Sequence, residues 1–152
     1  MEPNKWDKRF LEMAKLVSTW SKDPKTKVGC VVVRDRRILA TGYNGFAKGL
    51  DDSEQLYLNR DYKMRKIIHA EQNAIYNATS AGVSLNGSTF YVWGLHICEQ
   101  CAQALISIGA KRVVIQDNPL PDRWKESCLN ASFDMNYVGM EYDSIDLMNY
   151  EY

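Results

Sequence analysis

The run Val28-Gly29-Cys30-Val31-Val32-Val33 carries no polar side chain and is rich in β-branched residues, so it reads as a strand buried in a sheet. Arg34-Asp35-Arg36-Arg37 reads as a turn, and Ile38-Leu39-Ala40-Thr41-Gly42 as the strand that returns from it. Further strands are expected at Ser88 to Trp93, at Arg112 to Gln116 and, in short form, at Val138 to Tyr142. Helical patterns separate them. Trp6, Phe10, Met13, Val17 and Trp20 recur at steps of four, three, four and three and lie on one helix face, which Asp23-Pro24 ends. Helices are also expected from Ile67 to Ser80, from Cys101 to Ile108 with Gly109 as its cap, and from Pro121 onward. The order α-β-β-α-β-α-β-α, closed by β, predicts a layered α/β domain whose sheet mixes an antiparallel hairpin with a parallel portion. Residues 46–65 are polar and weakly periodic and read as a long inserted loop with one helical turn; such loops are uncommon unless functional.

A chain of 152 residues fits one domain, 1–152, with an exposed acidic tail from about 141 that carries Glu141, Asp143, Asp146 and Glu151. Net charge is zero, but residues 1–66 hold 15 Lys and Arg against 9 Asp and Glu, and residues 67–152 hold 4 against 10. The absence of a basic excess argues against long nucleic acid as a partner. The asymmetry is either solvated surface or a cationic half that meets a small anionic ligand. No apolar run reaches the ~18 residues of a membrane helix, and Met1-Glu2-Pro3-Asn4-Lys5 lacks the apolar stretch of a secretory signal, so a cytoplasmic protein is expected.

Chemistry concentrates in His69-Ala70-Glu71 and Cys98-Glu99-Gln100-Cys101. One imidazole and two thiolates make three zinc ligands, and three protein ligands leave a position for water, the catalytic arrangement. Each segment precedes or opens a helical stretch, and helix N-termini favour thiolate. Glu71, two residues after His69 in a first helical turn, can reach the same point and accept a proton there. Taken alone, the Cys98/Cys101 pair is equally half of a structural zinc site, with His96 or Cys30 as the spare ligand, or a redox pair. Cys30 and Cys128 read as small buried hydrophobes.

Together the two segments resemble the zinc-dependent nucleobase deaminases, whose signature is H-x-E followed by P-C-x-x-C; Ile97 stands where that family usually has Pro. Ser21-Lys22-Asp23-Pro24, Val28-Gly29, Gly42-Tyr43-Asn44-Gly45, His69 to Ile75 and Ile108 to Val113 extend the resemblance to deoxycytidylate (dCMP) deaminases, from about Trp6 to Gln116. The resemblance implies a cytidine-deaminase-like three-layer α/β/α sandwich with a mixed sheet of about five strands. It implies conversion of dCMP and water to dUMP and ammonia by a zinc-bound hydroxide, with Glu71 as proton shuttle, in supply of thymidylate synthesis. His69, Cys98 and Cys101 would hold the zinc. The Ala70 N–H would bond the ring O2 and Asn44 the sugar, although Asn44 is equally a left-handed turn residue. Of the basic residues Lys22, Lys27, Lys48, Arg60 and Arg65, Lys22 and Lys48 are the favoured phosphate partners, and Trp93, ahead of Tyr91 and Phe46, is the stacking aromatic. Family members are often homohexamers activated by dCTP and inhibited by dTTP. Lys48, Asp51, Asp52, Arg60 and Arg65 on the insert would form that effector site, with Mg2+ on the triphosphate. Leu50 replaces the Cys of a second zinc site, so one zinc per chain is expected. The competing readings are another zinc nucleobase deaminase, acting on a nucleoside, RNA or single-stranded DNA, and a non-catalytic nucleotide-binding protein on the same scaffold.

Overall fold

The computed structural model describes residues 2–149. Its sheet begins with the hairpin of β1 (Gly29–Arg34) and β2 (Arg37–Tyr43), turned tightly at Asp35 and Arg36, whose φ angles of 53° and 61° supply a left-handed two-residue turn without glycine. β1 pairs antiparallel with β3 (Thr89–Trp93); β3 pairs parallel with β4 (Arg112–Gln116), and β4 with β5 (Glu141–Ile145). The order β2-β1-β3-β4-β5 is the mixed five-stranded sheet that the sequence predicts. Helix α1 (Lys5–Ser18) covers one face; α4 (Ala70–Ala81), α5 (Glu99–Ser107) and α6 (Asp122–Tyr137) belong to the other. Strand alternation sorts the core accordingly. Cys30, Val32, Phe90, Val92, Val113 and Ile115 pack on the α4 side, and Val31, Val33, Tyr91 and Val114 on the α1 side.

Two glycines set the distance of the helices from the sheet. A Cβ on Gly29 would stand 2.1 Å from the Ala14 carbonyl oxygen, and one on Gly42 would stand 2.3 Å from the Ala74 nitrogen and 2.4 Å from the Ala70 oxygen. Helix backbone therefore rests directly on strand backbone at both places. Along the outer edge of β2, Asn73 and Asn77, one turn apart on α4, donate their amides to the Tyr43 and Thr41 carbonyls at 2.8 Å each.

Between the strands, residues 46–66 are more ordered than their sequence suggests. They form α2 (Glu54–Leu58) and α3 (Arg60–Lys66), held by Phe46, which stacks on Tyr57 at 4.2 Å and meets the Tyr62 edge at 5.4 Å. Their brevity hides them from a periodicity argument, which needs about three turns. Helix α4 begins at Ala70, not Ile67, because Ile68 is extended and exchanges backbone hydrogen bonds with Gly45. At the other end, Glu141–Ile145 is the edge strand β5 with Ile145 buried, not a loose acidic tail; Glu151 lies outside the described residues. Among the described residues no helix is long and apolar enough to cross a membrane.

The α1 face is closed by a buried ion pair. Arg112 on β4 donates to both oxygens of Asp7 on α1, at 2.7 and 3.0 Å, and to Asp143 on β5 at 2.8 Å; the Tyr91 hydroxyl donates to Asp7 at 2.8 Å. Burial pushes the Asp7 carboxyl up, but the hydrogen bonds from Arg112 and Tyr91 outweigh it and hold Asp7 below the ordinary carboxylate range. A carboxyl lowered in the fold stabilises at any pH above its unfolded value, near 4, and that contribution is lost as pH falls through the folded value. Asp7→Asn is expected to cost about 3–5 kcal/mol at pH 7, because it strands the Arg112 guanidinium. It should also flatten the loss of stability below about pH 4. Urea midpoints at pH 7, 4 and 3 check both.

Candidate active site

Two helices start at one point. His69 is the N-cap of α4, with the Gln72 side chain accepting its N–H at 3.4 Å; Cys98 is the N-cap of α5, whose first N–H, of Glu99, goes to the Ser127 hydroxyl of α6 at 2.9 Å. Cys98 is reached by the loop that leaves β3, and Ile97, in the position of the expected Pro, is fully buried in the core under it. Where the resemblance expects proline, an apolar side chain anchors the loop from beneath.

The His69 Nδ1 lies 3.4 Å from the Cys98 sulfur and 3.4 Å from the Cys101 sulfur. A tetrahedral zinc with bonds of about 2.3 Å to sulfur and about 2.0–2.1 Å to nitrogen sets such edges near 3.6 Å. Donor set and spacing fit a zinc ion with three protein ligands. Neither His96, whose Nε2 meets the Asn118 carbonyl at 2.9 Å, nor Cys30 belongs to the cluster, so the closed four-ligand alternative has no ligand to complete it among the described residues. The hydrogen bond from the Cys101 thiol, aided by His69, lowers Cys98 to about 4, and the same contact with Cys98, together with burial, raises Cys101. The hydrogen bond to Cys98 raises His69.

Glu71, in the first turn of α4, is 4% exposed and within hydrogen-bonding reach of Cys101. Burial raises its carboxyl above the ordinary range, against the pull of His69. Cluster and carboxylate form the floor of a cavity of about 630 Å³, a volume suited to a small molecule. Its walls are Thr26, Val28 and Asn44 on one side, Tyr57, Arg60 and Lys63 of the insert on another, and Leu120, Arg123, Trp124 and Cys128 on a third.

Of the residues singled out from sequence, His69, Ala70, Glu71, Asn44, Cys98 and Arg60 line this cavity, and Cys101 completes the cluster beneath it. Asn44 is not left-handed. Its Oδ1 accepts the Val28 N–H at 2.9 Å and its Nδ2 donates to the Thr26 carbonyl at 2.8 Å, so it shapes the wall. Trp93 lies elsewhere: it shares strand parity with Tyr91, packs on the α1 face and carries the Lys15 ammonium 5.0 Å from its ring centre. Phe46 is buried against Tyr57. The cavity's aromatics are Tyr57 and Trp124, the latter edge-on to His69 at 6.1 Å. Lys22 is off the cavity wall and pairs with Asp52 at 2.7 Å. Lys48 is exposed, Asp51 accepts the Ser53 N–H, and Arg65 pairs with Asp61, so the charges expected to form the effector site are dispersed, and of those five residues Arg60 alone faces the cavity. Sequence reasoning missed Lys25, Lys63, Arg123 and Trp124, which line it too. The start of α6 at Pro121 and a weaker echo of the resemblance around Trp124 were the hints of the last two.

The sequence profile of the cytidine and deoxycytidylate deaminase zinc-binding region matches residues 4–117. The chain belongs to that family. It is 39% identical over 142 residues to an uncharacterized deaminase of Aliivibrio fischeri, a match that spans 91% of this chain and 92% of the relative. It is 33% identical over 136 residues to the deoxycytidylate deaminase of Homo sapiens, spanning 86% and 75%. Among solved structures, the dCMP deaminase of the cyanophage S-TIM5 in complex with dCMP and dUMP superposes with a TM-score of 0.75 at 26% identity, covering 95% of this chain and 99% of that one. The cytidine-deaminase-like fold is therefore established, and the family's zinc has a fitting His/Cys/Cys cluster here. One zinc per chain is expected. Cys98→Ser should lower metal content several-fold and Cys30→Ala should leave it unchanged, as measured by elemental analysis after dialysis.

Proposed function

We propose that this protein hydrolyses dCMP to dUMP and ammonia, with Glu71 as the proton shuttle and His69, Cys98 and Cys101 as the ligands of one zinc ion. The observation that carries the reading is a buried carboxylate beside a three-ligand cluster at the floor of a cavity sized for a mononucleotide. Bound zinc supplies a Lewis acid and lowers the pKa of water toward about 7. Glu71 accepts a proton from the attacking water, delivers it to the ring N3, and then carries a proton to the departing amino group. Its burial suits it to holding a proton between those steps. The Ala70 amide, at the first position of α4, has no acceptor within its own helix and would be the donor to the ring O2. Asn44 keeps a second N–H for the sugar. The 5′-phosphate falls to Lys25, Arg60 and Arg123, cations on three segments of the cavity wall with no ion pair among the described residues, in place of Lys22. Trp124 and Tyr57 take the role expected of Trp93.

Regulation and assembly belong to the same proposal. Activation by dCTP and inhibition by dTTP, with Mg2+ on the triphosphate, would use the insert outside the cavity, where Lys48 and Asp51 are exposed. A homo-oligomer, expected as a hexamer, is supported by apolar side chains left on the surface, among them Leu16, Trp20, Phe133 and Tyr137. A cytoplasmic setting suits four unpaired cysteines.

Glu71→Gln is expected to keep zinc and fold and to lose turnover by 10²–10⁴ or more, the scale of a removed general acid–base. Activity within roughly threefold of the parent would exclude the shuttle role. Absorbance assays with dCMP, deoxycytidine and CMP test the substrate, and dCMP saturation curves with and without dCTP and dTTP test the regulation; superimposable curves would remove it.

A further inference from the structure

Helix α3 lines the cavity with Arg60, Lys63 and Met64, yet none of its residues is buried. Seven residues without an apolar anchor do not hold a helix in water by themselves. The Asn59 side chain caps α3 by accepting the Tyr62 N–H at 3.1 Å, and the Tyr62 edge touches Phe46, but both contacts stay within the insert. The chain just beyond α3 is pinned where Ile68 bridges to Gly45, but the side-chain tie from the helix itself to the rest of the wall, among the described residues, is ionic: the Lys63 Nζ stands 2.6 Å from the Oδ2 of Asp23.

Asp23 is fully buried, and Lys63 is 19% exposed. The Oδ1 of Asp23 accepts the Lys25 and Thr26 N–H groups at 2.9 and 3.2 Å. Among the described residues no hydrogen-bond donor other than the Lys63 ammonium meets Oδ2. From Thr26 the network continues through its carbonyl to Asn44, and from Asn44 to Val28 and to the Ser21 hydroxyl. One buried carboxylate thus joins α3 to the 23–28 segment and, through it, to Asn44.

We propose that Asp23 and Lys63 are positioning residues, a buried ion pair that holds α3 against the 23–28 segment and thereby sets Arg60 where it meets the substrate's 5′-phosphate. The proposal rests on the nucleotide reading above. The pair lies on the wall and the cluster on the floor, so the pair governs how well a nucleotide is held relative to its nucleoside and leaves the proton transfers of Glu71 alone.

Asp23→Asn is the informative variant, because it keeps an oxygen for the Lys25 and Thr26 amides and removes the charge facing Lys63. It is measured beside Lys63→Met, which alters the more exposed partner, and the double variant, all zinc-loaded. The expected result is a KM for dCMP raised roughly tenfold in each single variant and no further in the double. The kcat should stay within about twofold, and the kinetics of deoxycytidine should not change. Trypsin reads the latch without catalysis: cleavage at Arg60, Arg65 and Lys66 should be roughly tenfold faster in Asp23→Asn. Loss of dCMP binding in Lys63→Met alone would make Lys63 a direct phosphate ligand and overturn the proposal. So would an unchanged trypsin rate, or an equal fall of dCMP and deoxycytidine turnover. If the parent does not turn over dCMP, the function reading fails by itself, and the trypsin rates still decide the latch.

Discussion

The backbones of α1 and α4 rest on the β1–β2 hairpin at Gly29 and Gly42, with no side chain between them. Everything at the site inherits its height above the sheet from that contact. The Ala70 oxygen and the Ala74 nitrogen touch Gly42, so the first turn of α4 cannot lift, and that turn carries His69 at its cap and Glu71 two residues on. Cys98 and Cys101 arrive from β3, two strands away across the same sheet. A methyl group at Gly42 would raise one half of the cluster relative to the other by more than a zinc polyhedron tolerates, since ligand distances hold to about 0.2 Å.

The two faces of the sheet use buried polar groups for different ends. On the α1 face, Asp7, Arg112, Tyr91 and Asp143 satisfy one another fully and tie a helix to three strands. Such a closed network fixes register and offers nothing to a ligand. On the α4 face the polar groups are left unfinished in one direction. Glu71 is buried with no ion pair among the described residues, and the first amides of α4 point past the helix end. The incomplete satisfaction is what a substrate can complete.

Much of this was legible in the sequence where one periodicity or one motif decides. The β-branched runs gave the strands, Trp6 to Trp20 gave α1, and the spacing of His69, Glu71, Cys98 and Cys101 gave the cluster. Trp93 shows where that logic stops: its neighbours fix which residues share its face, but not which face carries the cavity. Lys22 and Lys63 show another limit. Both are lysines in polar surroundings, and only the tertiary position of Asp52 and of Asp23 decides that one is paired at the surface and the other in the cavity wall. The insert hid its helices because they are too short for a period to register and are held by Phe46, Tyr57 and Tyr62, scattered through seventeen residues.

The amides of Asn73 and Asn77 occupy two outward carbonyls of β2, which makes one edge of the sheet a poor template for another strand. At the opposite edge, β5 directs Glu141 and Asp143 to one face, where the Arg112 guanidinium of β4 stands between them. The two margins of the sheet are therefore unlike, one with occupied acceptors and one with its side chains tied inward to the neighbouring strand. A strand added along β2 would have to displace the Asn73 and Asn77 amides first, so that margin of the sheet is closed to extension in a way that the exposed apolar side chains of the helices, such as Leu16 and Phe133, are not.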